Sequence, residues 1–472
     1  MHNADPAPAF TVRVALIVAL GGFLMGFDAS VISGVVGFVE AEFSLSKIEL
    51  GWAVASLTLA ATFAMMLSGP LSDRVGRRPV LQLAAALFTV SAIASAMAPN
   101  FAMLVVARMV GGLGVGAALI IAPMYIAEIA PARVRGRLVS FNQLNIVVGI
   151  SAAFFSNYLI LRLGQSDLAL AQALGVGPCG WRWMLGVEAV PAVVYLLALA
   201  WVPESPRWLA MHGRRAEAHR VMERAAGRDQ AAAELAGLER SLADETTAER
   251  GRFRDLLQPR LRRVMVIGLS IAVLQQATGI NAVFFYAPMI FEQAGIGTDA
   301  AFAQAILVGV VNLVFTVVAM CLIDRLGRRP LLGFGLAGIA VCMLTLAYGF
   351  GSATYSLGDE AVRVNTVLIL AALLGFVASF AVSLGPVMWV LFSELFPNRV
   401  RGLAVSCVGL VNSAVSFLVQ LVFPWEIDAL GSAFTFLVYG LVAVAGLAWV
   451  LAAFPETRGR SLEELEQILV RN

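Results

Sequence analysis

A chain of 472 residues would ordinarily hold two or three soluble domains. Its composition excludes that reading: 60% of the residues are hydrophobic and 14% charged, and the mean hydropathy is +0.84, against roughly half apolar and a quarter charged in soluble domains. No single core could hide so much apolar surface, so lipid is the solvent. The net charge of +2 gives no reason to expect nucleic acid, and the four cysteines show neither a disulfide framework nor metal-ligand spacing.

About twenty apolar residues cross a bilayer as a helix. Runs of that length predict helix 1 over Val14–Val39, helix 2 over Leu50–Ser72, helix 3 over Val80–Ala98 and helix 4 over Phe101–Ala127. Helix 5 follows over Leu138–Leu161 and helix 6 over Met184–Val202. Helices 7 to 9 are expected over Val264–Phe291, Phe302–Ile323 and Leu331–Gly351, and helices 10 to 12 over Val367–Phe392, Leu403–Trp425 and Ala429–Phe454. Only three of these runs carry a charge, and each carries one: Asp28, Arg108 and Glu188. The first run is too long for a signal peptide and no cleavage-site pattern follows it. Within helix 4, Gly111-Gly112-x-Gly114-x-Gly116 imitates a nucleotide fingerprint. No strand precedes it, and small residues inside a membrane helix serve close packing.

Arginine placement orients the chain. The connections after helices 2, 4, 8 and 10 and the tail are arginine-rich, and Pro203–Arg263 holds thirteen more. The opposite face has Lys47, Arg162, Arg182 and Arg363. Both termini are therefore expected in the cytoplasm. Residues 203–263 form the one long polar segment. Its Arg214–Ala226 and Gln230–Leu242 stretches have helical propensity but too little apolar surface for a core of their own.

The chain also repeats itself. Gly69-Pro-Leu-Ser-Asp73-Arg74-Val-Gly76-Arg77-Arg78-Pro79 returns as Asp324-Arg325-Leu-Gly327-Arg328-Arg329-Pro330. Ala127-Glu128-Ile-Ala-Pro131-Ala-Arg-Val-Arg135-Gly136 returns as Ser393-Glu394-Leu-Phe-Pro397-Asn-Arg-Val-Arg401-Gly402, and Pro203-Glu204-Ser205 is echoed by Pro455-Glu456-Thr457. The copies follow helices 2 and 8, 4 and 10, 6 and 12. Three matches in one order imply two homologous six-helix halves related by an axis along the membrane normal. The expected division is a bundle over 1–202, linker helices over 203–263, a second bundle over 264–454 and a tail over 455–472.

With these motifs, and with Gln275-Gln276-x-x-Gly279-Ile-Asn281 in helix 7, the chain resembles the sugar porter family of the major facilitator superfamily over nearly its whole length. The resemblance implies an all-α membrane protein of twelve helices in two pseudo-symmetric bundles. It implies a carrier of sugars or polyols working by alternating access, with its site between the halves near the bilayer midplane. No cofactor or metal is expected, and a monomer is expected to suffice.

A sugar is a ring of hydroxyls, and uncharged amides offer both donor and acceptor atoms to it. Amides are rare in apolar helices because they cost free energy unless partnered. They gather here as Asn142, Gln143 and Asn145 in helix 5, Gln275, Gln276 and Asn281 in helix 7, and Asn412 and Gln420 in helix 11. Interhelical hydrogen bonding explains a lone amide; the helix 7 cluster beside Gly279 reads as a site. By resemblance, Gln143, Gln275, Gln276, Asn281 and Asn412 match the family's sugar-binding amides and Trp389 its stacking tryptophan. The chain departs from the pattern at Ser413, where many members have tryptophan, and at Met320, where a glycine would complete a motif. It departs again at the expected outer gate, where Phe285 precedes Tyr286 in place of two tyrosines. Ser413 leaves the choice of sugar open.

An ionisable residue within a membrane helix is a functional candidate. In the family the position of Asp28 is acidic in proton-coupled members and faces an arginine matching Arg108. If the two touch, burial disfavours the Asp28 carboxylate while the guanidinium favours it, and such a group can exchange a proton. The alternative is a static strut between helices 1 and 4. Glu188, expected nearer the membrane edge, reads as structural. On the cytoplasmic side, Arg74, Arg77, Arg78, Arg135, Arg325, Arg328, Arg329 and Arg401 stand near Asp73, Glu128, Glu204, Asp324, Glu394 and Glu456. Pairs among them, and with helix C-termini, would form an inner gate.

The sequence has no phosphate-cradling loop and no nucleophile–base pair, so no enzyme chemistry competes. The expected function is import of a monosaccharide, hexose or pentose, across the cytoplasmic membrane with protons. A passive sugar or polyol facilitator is the second reading. A non-transporting sugar sensor is a third, and the short tail speaks against it.

Overall fold

The computed structural model describes residues 9–131, 133–247, 253–256, 258–354, 365–397, 400–454 and 456. Among them, twelve helices are long and apolar enough to cross a membrane. Helices 1 to 6 run Ala9–Gly34, Lys47–Val75, Arg77–Ala96, Phe101–Ile129, Arg135–Gly164 and Gly180–Trp201. Helices 7 to 12 run Leu261–Gln293, Thr298–Ile323, Arg328–Ser352, Thr366–Phe392, Arg401–Leu430 and Ser432–Ala453. The chain is a multi-pass membrane protein.

Among the boundaries that differ from the apolar runs, two have a local polar or backbone reason. Helix 1 does not continue to Val39: its α-helical part ends at Val31, one 3₁₀ turn follows, and a separate helix spans Val36–Phe43. Carbonyls of the last turn are taken by side chains: Ser33 Oγ donates to Ser30 O at 2.7 Å and Asn157 Nδ2 to Val31 O at 2.9 Å. Hydropathy is blind to such an ending. Helix 12 does not begin at Ala429, because helix 11 continues to Leu430 and Gly431 adopts φ +81° between them. A residue with a side chain resists that conformation, which is why glycine so often follows a helix end.

Between helices 6 and 7 lie short helices at Pro206–Met211, Arg215–Ala226, Arg228–Thr247 and Phe253–Leu256. The second is tied to the start of helix 1: Thr11 Oγ1 donates to Ala225 O at 2.9 Å, and the Arg224 guanidinium lies 4.1 Å from the Phe10 ring centre.

The contacts define two compact units. The first comprises Met1–Ala29, Leu59–Ala153 and Arg182–Glu249. Helix 3 packs there against helices 4 and 6, and a side chain at Gly114 would stand 3.0 Å from the Ala84 carbonyl, so the glycines of helix 4 do serve close packing. The second unit comprises Ser30–Thr58, Phe154–Trp181 and Arg250–Asn472. Its centre is helix 9 against helices 10 and 12, with helix 7 against helix 11.

The second unit also includes ends of helices 1, 2 and 5. Trp52 of helix 2 meets Phe417 of helix 11 edge to face at 5.6 Å, and the Gly51 backbone lies against the Leu421 carbonyl. At the end of helix 5, Arg162 and Gln165 both donate to the Asp299 carboxylate, at 3.2 and 2.7 Å.

Candidate functional site

Helix 7 is interrupted where its amides stand. Its first part ends at Ala277, Gly279 adopts φ +88°, and a second part runs Ile280–Gln293. The turn swings Asn281 beside Gln276, to whose Oε1 it donates at 2.8 Å. Gln276 Nε2 donates to Gln275 Oε1 at 2.9 Å and to Asn412 Oδ1 at 3.3 Å. Asn412 Nδ2 donates to Gln275 Oε1 at 2.7 Å and to the Ala272 carbonyl at 2.9 Å. Four of the five matching amides thus form one network between helices 7 and 11. The fifth, Gln143, belongs to the other unit and is exposed on helix 5.

Two further side chains extend this network, and the sequence reading missed one of them. Ser416 Oγ accepts from Asn281 Nδ2 at 2.6 Å and from Gln420 Nε2 at 2.8 Å. Gln420 Oε1 in turn accepts from Thr58 Oγ1 of helix 2 at 2.9 Å. Asn412, Ser416 and Gln420 are spaced four apart, so they share one helix face. That four-residue spacing is the signal in the sequence that points to Ser416.

The network has a direction. The N–H groups of Gln276, Asn281 and Asn412 are spent on one another, on Ser416 and on the Ala272 carbonyl. Among the described residues, Gln275 Nε2 and Asn281 Oδ1 have no hydrogen-bond partner. A donor and an acceptor are left open, the two functions a hydroxyl matches.

Asn142 and Asn145 stay out of the cluster. Asn145 Nδ2 donates to the Phe141 carbonyl one turn back at 2.9 Å, and Asn142 is buried beside Gly22 of helix 1. Trp389 is 47% exposed and meets Phe392 edge to face at 6.0 Å. Phe285 is buried, and Tyr286 donates to the Gln420 carbonyl at 2.9 Å. Tyr286 (φ −126°, ψ 18°) departs from helical geometry and kinks the second part of helix 7.

In the first unit, Asp28 and Arg108 form an ion pair at 1% and 2% exposure. Both terminal nitrogens of Arg108 also donate to the Asp28 backbone carbonyl at 3.2 Å. Among the described residues, Asp28 Oδ2 has no hydrogen-bond partner. Glu188 is 3% exposed and lies within electrostatic reach of both Asp28 and Arg108. Linear sequence could not show this, because helix 6 is wound so that Glu188 faces inward.

The repeated cytoplasmic motifs fold alike in the two halves. Arg77 grips Glu128 through two nitrogens, each at 3.1 Å, and Asp73 at 2.8 Å; Ser205 also donates to Glu128. Arg328 grips Glu394 at 2.8 Å. Glu204 takes no guanidinium in these contacts; it accepts the backbone N–H groups of Arg77 and Arg78 at 2.9 and 3.3 Å. Glu456 does the same for Arg328 and Arg329 at 3.1 and 3.2 Å. The reason is the positive end of helices 3 and 9, where unpaired N–H groups attract a carboxylate. The remaining arginines bind helix C-terminal carbonyls: Arg78 that of Ala200, Arg329 of Leu451, Arg135 of Ala130 and Arg401 of Phe396. Arg74 and Arg325 are exposed, and the Asp324 side chain lies outside the described residues. Each of these contacts joins residues of one half of the chain.

The sequence profile of the family described as "Sugar (and other) transporter" matches residues 14–469. The arabinose-proton symporter of Bacillus subtilis is 37% identical over 462 residues, 98% of this chain and 96% of that protein. The D-xylose-proton symporter of Escherichia coli K12 is 36% identical, covering 99% of this chain and 97% of that one. The inward-open structure of the xylose transporter XylE from E. coli superposes with a TM-score of 0.82 at 34% identity, covering 97% of this chain and all of that one. This chain belongs to the sugar transporter family of the major facilitator superfamily. It is a transporter and not an enzyme.

Proposed function

We propose that this protein imports a monosaccharide, a pentose or hexose, across the cytoplasmic membrane by proton symport and alternating access. The observation that carries the coupling is the Asp28–Arg108 pair, dehydrated inside a carrier whose curated relatives include sugar–proton symporters. A buried carboxylate held by a single guanidinium can be neutralised by a proton, which frees the arginine and alters what holds helices 1 and 4 together. Coupling then follows if the loaded carrier turns only with Asp28 protonated.

The sugar is read by Gln143, Gln275, Gln276, Asn281 and Asn412, with Trp389 offering an aromatic plane to its C–H face. The open donor on Gln275 and acceptor on Asn281 support this assignment. Ser413 beside Asn412 gives the pocket more room or polarity than a tryptophan would. Phe285 and Tyr286 form the outer gate, and the arginine–carboxylate clusters brace the helix ends that turn at the inner one. Residues 1–202 and 264–454 are the moving halves, with 203–263 the cytoplasmic linker. The arginine distribution supports cytoplasmic termini, and one chain suffices for function.

The test is uptake of a labelled sugar panel into proteoliposomes with and without an inward proton gradient. Accumulation only with the gradient supports symport. Equilibration that ignores the gradient replaces it with passive facilitation.

A further inference from the structure

Helix 7 is irregular at two points, Gly279 at φ +88° and Tyr286 at φ −126°. The segment between them carries Asn281. A short segment with a hinge at each end moves as a piece unless something holds it. One stack of rings meets both hinges. The Tyr286 ring lies 5.2 Å from Phe423 of helix 11, and Phe423 lies 6.4 Å from Tyr439 of helix 12, nearly parallel at 13°. Tyr439 closes on the other hinge: a Cβ at Gly279 would stand 2.7 and 2.9 Å from its ring carbons. The far end of the stack is anchored by a charge. Tyr439 donates its hydroxyl proton to Glu426 Oε2 at 2.8 Å, and Glu426 is a half-buried carboxylate near the end of helix 11 that the transport reading leaves without a task.

We infer that Glu426, acting through Tyr439, is a positioning residue for sugar recognition: it fixes the ring that seats the Gly279 hinge and so places Asn281 in the amide network. The inference rests on the proposed role of that network. Tyr439 meets Gly279 through its ring and Glu426 through its hydroxyl, so loss of the hydroxyl alone leaves the packing and releases the anchor. Glu426→Gln keeps a carbonyl acceptor for the tyrosine, whereas Glu426→Ala leaves the hydroxyl without one.

The experiment uses the purified full-length protein and the best-bound member of a panel of D-xylose, L-arabinose and D-glucose. Binding affinity and thermal midpoint are measured for wild type, Asn281→Ala, Tyr439→Phe, Glu426→Ala, Glu426→Gln and the double variant Asn281→Ala/Tyr439→Phe. Tyr439→Phe and Glu426→Ala are expected to weaken binding roughly tenfold, the scale of one buried hydrogen bond. Glu426→Gln should stay within about twofold of wild type if its carbonyl serves as the acceptor. In the double variant the second change should add little, because both act through Asn281. A purely structural tie between helices 11 and 12 would lower the thermal midpoint and leave affinity alone, and that result overturns the inference. So does a Tyr439→Phe effect that adds in full to that of Asn281→Ala. If Asn281→Ala itself binds as wild type, the site assignment falls and this inference with it. If Asn281→Ala weakens binding while Tyr439→Phe does not, only this inference falls. Tyr439→Phe removes one atom, so the question stays answerable should Glu426→Ala fail to fold.

Discussion

Glu456 accepts the backbone N–H of Arg328 at 3.1 Å, so a residue three past the end of helix 12 caps the first turn of helix 9. Glu204, three residues past the end of helix 6, stands in the same relation to Arg77 at the start of helix 3. A carboxylate at a helix N-terminus satisfies orphan donors and meets the positive end of the dipole. Glu204→Ala is expected to destabilise the first half by about 1–2 kcal/mol, and Glu204→Gln by less. Thermal unfolding in detergent measures it; an unchanged midpoint for Glu204→Ala would mean that water caps the helix equally well.

How far the sequence foretold this depended on what each signal measured. Twelve spans were legible because hydropathy integrates over a whole bilayer thickness. The Asp28–Arg108 contact was legible only as a resemblance, since nothing in one chain's linear order brings positions eighty residues apart together. The repeated Pro-Glu motif announced its carboxylates but not their partners: backbone N–H groups are the same at every residue and leave no trace in composition. Ser416 is hard to read from sequence for a related reason, since its hydroxyl matters for whom it joins. The early end of helix 1 depends on Asn157, which sits in another helix.

The Arg77 fork should resist replacement by lysine. Two nitrogens meet the two oxygens of Glu128, a geometry an ammonium cannot reproduce. Arg77→Ala is expected to cost about 3 kcal/mol or more, because a largely buried Glu128 loses its principal counter-charge. It should also change the balance of inward- and outward-facing states, read by cysteine accessibility on the two faces, with Arg328→Ala acting in the same sense. Unaltered accessibility in both variants would reduce these arginines to orienting and stabilising the chain.

Truncating Gln275 removes the open donor and also the acceptor of the Gln276 and Asn412 side chains. Gln275→Ala is expected to weaken binding by about 1–3 kcal/mol in a protein that still inserts and folds. Ser416→Ala leaves Asn281 one acceptor short and should weaken it by about 1 kcal/mol. Isothermal titration with the preferred sugar decides both, and wild-type affinity in Gln275→Ala would remove it from the site.

Asp28→Asn separates symport from facilitation. The amide keeps the volume and loses the titration, so Arg108 no longer has Asp28 as a charged partner at any pH. If Asp28 must be protonated before the loaded carrier turns, lowering the external pH speeds wild-type uptake and raising it slows uptake. The variant should show neither response. It should exchange sugar across the bilayer yet fail to accumulate it, and sugar addition should no longer alkalinise the outside. A variant that keeps wild-type pH dependence while losing thermal stability would make Asp28 a strut.

Asn281, Ser416, Gln420 and Thr58 form an unbroken series in which each polar side chain is held by the next. Its first member stands among the amides and its last on helix 2, in the other half of the sequence. Displacement at either end must be passed along or must break a link. Losing any one of these hydrogen bonds breaks the polar path from helix 2 to the amides.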